Sequence, residues 1–79
     1  MFIVIKRQKS EDLVLNINEI KLIRKRELNK NPHDGSPITP KYFVDIFHND
    51  PTWNITEEFS DKTIRDTYYD DILTKLKPL

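Results

Sequence analysis

The sequence predicts a small α+β fold: an antiparallel sheet of four or five strands with one C-terminal amphipathic helix packed on one face. Three observations carry that reading. The chain opens on an unbroken β-forming run, Phe2-Ile3-Val4-Ile5. A β-forming stretch, "YFVDIFH", rich in aromatic and branched residues, lies in its middle. Its last twenty residues carry apolar side chains at helical spacing.

Each element follows from its residues. Phe2–Arg7 reads as a first strand that is apolar on both faces, so both faces call for cover. "QKSED" is a polar turn, and Leu13–Leu15 returns as the second strand of a hairpin. Asn16 followed by Glu19 has capping-box spacing. The apolar stripe of a longer helix then fails, because Arg24 and Glu27 fall where Leu or Ile should recur. One helical turn over Asn16–Glu19 and a strand from Ile20 to about Leu28 satisfy both signals. Residues 29–41, with three prolines and the only glycine, read as a long Pro-rich loop with Asp34-Gly35 near its tip.

In the next strand Tyr42, Val44 and Ile46 take one face, and Phe43, Asp45 and Phe47 the other. "HNDP" turns the chain, and "TWNIT" is expected as a short strand. The helix is expected over Ser60–Lys77. Ser60 is its N-cap, Ile64, Tyr68 and Ile72 form its stripe with Tyr69, Leu73 and Leu76 beside it, Asp71 and Lys75 form an i,i+4 pair, and Pro78 closes it.

"LVLNINEIKLI" resembles the opening of the small FlbD-type flagellar accessory proteins and of similar short phage proteins. Val14, Leu15, Asn16, Ile20 and Ile23 carry the likeness, which spans about the first 28 residues and, in outline, the final helix. The resemblance implies a strand-rich domain ending in one amphipathic helix and supplies no catalytic residue. The chain departs from that pattern in its longer Pro-rich loop and in lacking a glycine turn between the last strands.

Composition narrows the function. Residues 1–79 make one domain, at a length where a single core is marginal. Without cysteine, neither disulfides nor thiolate metal sites can staple it, which favours self-association or a partner. The opening apolar run is too short for a signal-peptide core and no membrane span is visible, so a cytoplasmic location is expected, in its own cell or a host cell. The absence of alanine and the abundance of Ile, Lys and Asn fit AT-rich coding, as in a low-GC bacterium or its phages. Charge is split: residues 1–41 hold nine Lys/Arg against five Asp/Glu, and residues 42–79 hold four against eight.

No catalytic motif is present, and an enzyme is not expected. There is no Gly-rich phosphate loop and no nucleophile–base pattern. Glu57-Glu58 and Asp70-Asp71 read as solvated acidic pairs. His33 and His48 sit in turn sequence without the convergent partners a metal needs, so neither metal nor cofactor is expected.

Two surfaces remain. Phe43 and Phe47 lie on a strand face that a single helix cannot also cover, and with Tyr42 and Tyr69 they form the expected partner-binding set. Lys6, Arg7, Arg24, Lys25 and Arg26 form the alternative, a nucleic-acid-binding set, although strand geometry parts Arg24 and Arg26 from Lys25. Exposed charges stabilise little, so exchanging Arg24, Lys25 and Arg26 for Gln should leave folding nearly unchanged. The leading expectation is a small non-enzymatic interaction protein, phage- or mobile-element-borne, that self-associates and binds a host protein, with inhibition of that host protein as one outcome of binding. The alternatives are a nucleic-acid-binding module and a small-ligand sequestering protein with its pocket at a dimer seam.

Overall fold

A computed structural model describes residues 1–76. Its elements are β1 (Phe2–Ile5), β2 (Leu13–Asn16), β3 (Ile20–Lys30), β4 (Pro37–His48), β5 (Ile55–Phe59) and α1 (Lys62–Leu76), with 3-10 turns at Ile17–Glu19 and Pro51–Trp53. The fold is α+β, as the sequence predicts, but its five strands form two antiparallel sheets rather than one. β1 and β2 make a two-stranded hairpin, and β3-β4-β5 make a three-stranded meander.

The turn at Ile17–Glu19 explains the division. The Asn16 side chain accepts from the Asn18 N–H at 3.0 Å and holds one tight turn. Glu19 does not complete a capping box; its carboxylate accepts from Asn49 Nδ2 and its carbonyl from the Asn49 N–H. The chain thus leaves β2 through a corner and enters β3 in another sheet.

The segment 29–41 is mostly strand. β3 and β4 continue pairing as far as Lys30 opposite Pro37. The loop shrinks to the six residues 31–36, closed by Asn31 N–H to the Ser36 carbonyl (2.7 Å) and Gly35 N–H to the Asn31 carbonyl (2.8 Å). Among the described residues Gly35 alone takes a positive φ, +73°, the left-handed conformation that side chains disfavour. Prolines survive here because β4 runs beyond β5 at this end, so one edge of the strand lacks a neighbour.

Trp53 lies on a 3-10 turn, not on a strand, because Asp50 caps Pro51 through the Thr52 N–H. Glu57 is a buried β5 residue rather than a solvated acid.

Helix α1 begins one residue later than Ser60 would cap it. Asp61 accepts from the N–H groups of Thr63 and Ile64 at 2.7 and 3.1 Å. Its buried face keeps Tyr68, Tyr69, Ile72 and Leu76 of the expected stripe, but at the start Arg65 is buried while Ile64 is exposed. Asp71 and Lys75 form their pair at 3.1 Å. The expected helix end at Lys77 and Pro78 lies outside the described residues.

The core unites both sheets and the helix: Ile3, Ile5 and Leu15 from the hairpin, Val44, Ile46, Ile55 and Phe59 from the meander, and Ile72 from α1. The opposite face of the meander has no helix on it, and the hairpin's outer positions Phe2, Val4 and Val14 are exposed.

Candidate functional site

The register of the meander builds its uncovered face. Pairing Leu22 with Phe47, Arg24 with Asp45 and Arg26 with Phe43 puts these six side chains on one surface. On β5, Thr56 pairs with Asp45 and Glu58 with Phe43 on that same surface. Alternation sends Ile23, Val44, Ile46 and Ile55 to the core.

Asp45 is the centre of the face. Although on the side without a helix, it is only 2% exposed. Its carboxylate accepts from Arg24 Nε at 2.8 Å, from Arg26 Nε and Nη2 at 2.6 and 3.1 Å, and from Thr56 Oγ1 at 2.8 Å. Burial pushes its pKa up, but the bonds from Arg26, Arg24 and Thr56 outweigh burial and hold it at about 2. The same bonds raise the pKa of Arg26. The carboxylate is therefore ionised at neutral pH and fixes both guanidinium groups.

The two phenyl rings take their places around these groups. The Arg24 guanidinium lies 5.0 Å from the Phe47 ring centroid, and that of Arg26 lies 4.5 Å from the Phe43 centroid. Both are cation–π distances. The rings are half-buried beneath their arginines, which remain about half exposed themselves.

The partner-binding residues expected from the sequence therefore divide. Phe43 and Phe47 share the uncovered face, while Tyr42 and Tyr69 lie on the helix side. Tyr42 sits under Arg65 (5.3 Å) and Tyr69 under Lys25 (4.9 Å). The expected nucleic-acid set divides as well. Arg24 and Arg26 join the phenylalanines; Lys25 turns to the helix, 3.7 Å from Asp66. Lys6 pairs with Asp12, and Arg7 donates to the buried Glu57 at 3.0 Å.

Sequence reading left four residues without a role. The sequence placed Asp45 between Phe43 and Phe47 on one strand face, but only the β3–β4 register brings Arg24 and Arg26 to its carboxylate. Thr56 follows once β5 is in register. Glu57 and Arg65 carried no such signal, since each sits among residues of the same charge pattern that stay exposed. Arg65 donates Nη1 to the Arg26 carbonyl and Nε to Asp66, both at 2.7 Å, tying α1 to β3. Every buried side-chain nitrogen and oxygen among the described residues has a hydrogen-bond partner.

A scan against protein-family models finds no match, and searches of the curated proteins and of the solved structures find none either. Among the described residues no group of three or more His, Cys, Asp or Glu could hold a metal, and no helix is long and apolar enough to cross a membrane.

Proposed function

We propose that this chain is a non-enzymatic binding protein whose contact surface is the uncovered meander face, with Phe43, Phe47, Arg24 and Arg26 as its anchors and a protein as its partner. The observation that carries the reading is the buried Asp45, which holds two guanidinium groups over two phenyl rings before any partner arrives. Arginine and aromatic residues dominate protein–protein contact energies, and anchors already in place lose less entropy on binding. Arg24 gives Asp45 only its Nε among the described residues, so its terminal nitrogens remain for a partner's carboxylates or carbonyls. Asp45 cancels one of the two positive charges, which suits a mixed protein surface better than a run of phosphates.

A second reading has its own support. Guanidinium groups and phenyl rings side by side on an open sheet also suit unpaired nucleobases, which stack on such platforms.

Affinity capture with four baits tests both. A partner retained by wild-type protein and by Lys25→Gln, but lost on Phe47→Asp and Arg24→Glu, is the expected result. Fluorescence anisotropy with oligo(dT) covers the second reading: binding that needs Phe43 and Phe47 and weakens with salt would replace the protein partner by single-stranded nucleic acid. Capture that is identical on all four baits contradicts both.

A further inference from the structure

The meander ends on two free edges that differ in charge. With the order β3-β4-β5, the strands β3 and β5 each pair on one side only. β5 has five residues, among them Glu57 and Glu58. β3 has eleven, and its five cations, Lys21, Arg24, Lys25, Arg26 and Lys30, face the single acid Glu27 in a chain of zero formal net charge. Lys21 and Lys30 enter no ion pair among the described residues.

The backbone shows what the β3 edge offers. The Asn49 N–H donates to the Glu19 carbonyl, on the β3 side of the chain, and the His48 N–H donates to Asn54 Oδ1, on the β5 side, both at 2.8 Å. Backbone groups along a strand alternate in direction, so Phe47, Asp45 and Phe43 bond to Leu22, Arg24 and Arg26 opposite them, in a register that is regular from Leu22 to Leu28. The N–H and C=O groups of Ile23, Lys25 and Glu27 then point out of the sheet. None of them has a partner among the described residues, since Arg65 of α1 reaches the Arg26 carbonyl alone.

We infer that the partner supplies an extended acidic segment, which adds to the free edge of β3 as a fourth strand of the meander. This rests on the reading of the uncovered face above and names how that face is approached. A strand added to an open edge gains its affinity from main-chain bonds and its specificity from alternate side chains. Here the main-chain groups are those of Ile23, Lys25 and Glu27. The alternate side chains of the edge are Leu22, 53% exposed, and Arg24, whose terminal nitrogens are free of Asp45. A residue opposite Arg24 sits in a pair without backbone bonds, where side chains approach most closely, so a carboxylate there meets the guanidinium directly. Charge selects the occupant. A second copy of β3 would set cations against cations, which is destabilising for directly opposed residues. The same acidic segment is turned away from the other edge by Glu58 of β5, which is exposed.

Amide hydrogen exchange read by NMR tests the inference on the wild-type chain. The probe is an end-capped peptide of about ten residues alternating Glu with Val, and its control carries Lys in place of Glu. At saturating acidic peptide the amides of Ile23, Lys25 and Glu27 should exchange at least tenfold more slowly, while those of Arg24 and Arg26, already bonded to β4, change little. The Lys peptide should leave all five unchanged, and Arg24→Glu should weaken binding of the acidic peptide at least tenfold. Slowing without that alternation, equal effects of both peptides, or no binding of the acidic peptide overturns the inference. The captured partner separates this inference from the face reading. Lys25→Pro removes an edge N–H that makes no ladder bond, a change edge strands tolerate. With circular dichroism unchanged, a partner lost on both Lys25→Pro and Phe47→Asp supports the added strand. A partner held by Lys25→Pro but lost on Phe47→Asp keeps the face and overturns the added strand, and the reverse pattern keeps the edge and removes the face.

Discussion

Arg26 grips Asp45 with two nitrogens, Nε at 2.6 Å and Nη2 at 3.1 Å, across the β3–β4 register. Arg24 adds a third bond from the same strand to the same carboxylate. The two arginines thus depend on one buried acid for their orientation, and removing that acid leaves two cations facing each other.

Asp45→Asn should therefore lower unfolding stability by about 2–4 kcal/mol, toward the cost of breaking a buried ion pair. Urea denaturation followed by circular dichroism measures it. A loss below about 0.5 kcal/mol, the size of an ordinary surface effect, would show that the carboxylate organises nothing.

Acid should have the same effect on the wild type. The folded pKa of Asp45, about 2, lies below its ordinary 3.8, so its contribution is complete above pH 4 and is lost as pH falls toward 2. The loss from this group is roughly 2 kcal/mol. Denaturation midpoints between pH 5 and pH 2, compared with those of Asp45→Asn, isolate it: the variant should show a shallower decline, and parallel curves would contradict the assignment.

The three consecutive cations should behave unequally. Lys25→Gln removes a 3.7 Å contact with Asp66 and a partly exposed cation–π contact with Tyr69, and should change stability by less than about 1 kcal/mol. Arg26→Gln removes two bonds to a buried carboxylate and should cost about 1.5–3 kcal/mol. This revises the sequence expectation that all three could be exchanged at little cost, since two of them are tied to an interior acid that the sequence did not connect to them.

Arg65→Leu should cost about 1–3 kcal/mol although it places an apolar residue at a buried site, because the Arg26 carbonyl loses its charged donor. Hydrogen exchange at the β3 amides near Arg26 should also accelerate. Unchanged exchange there would mean that α1 is held by its apolar contacts alone.

What was legible in the sequence follows from period and punctuation. The alternation of Tyr42 through Phe47 placed Val44 and Ile46 in the core and Phe43 and Phe47 away from it, because a strand has only two faces. The failed stripe after Asn16 separated one helical turn from the strand at Ile20. Cross-strand neighbours were less legible. Phe43 and Phe47 lie about twenty residues from Arg26 and Arg24, and only the β3–β4 register reveals that each ring has a guanidinium over it. A basic run that lacked aromatics in its own segment gained them from its partner strand. The prolines of 29–41 suggested a loop because Pro breaks ladders, yet a strand that outruns its neighbour tolerates them. Arg65 lies on the core side, where Ile64 was expected, and donates to the Arg26 carbonyl of β3, a cross-element partner of which helical periodicity holds no record.

The central claim is that the face around Asp45 is the binding surface, and the affinity of the captured partner tests it most directly. Isothermal titration calorimetry should show Phe47→Asp binding at least tenfold more weakly than wild type, the cost of losing about 1.5–3 kcal/mol of ring burial, with Lys25→Gln unchanged. Equal affinity for Phe47→Asp and wild type, with the fold intact in both, would contradict it.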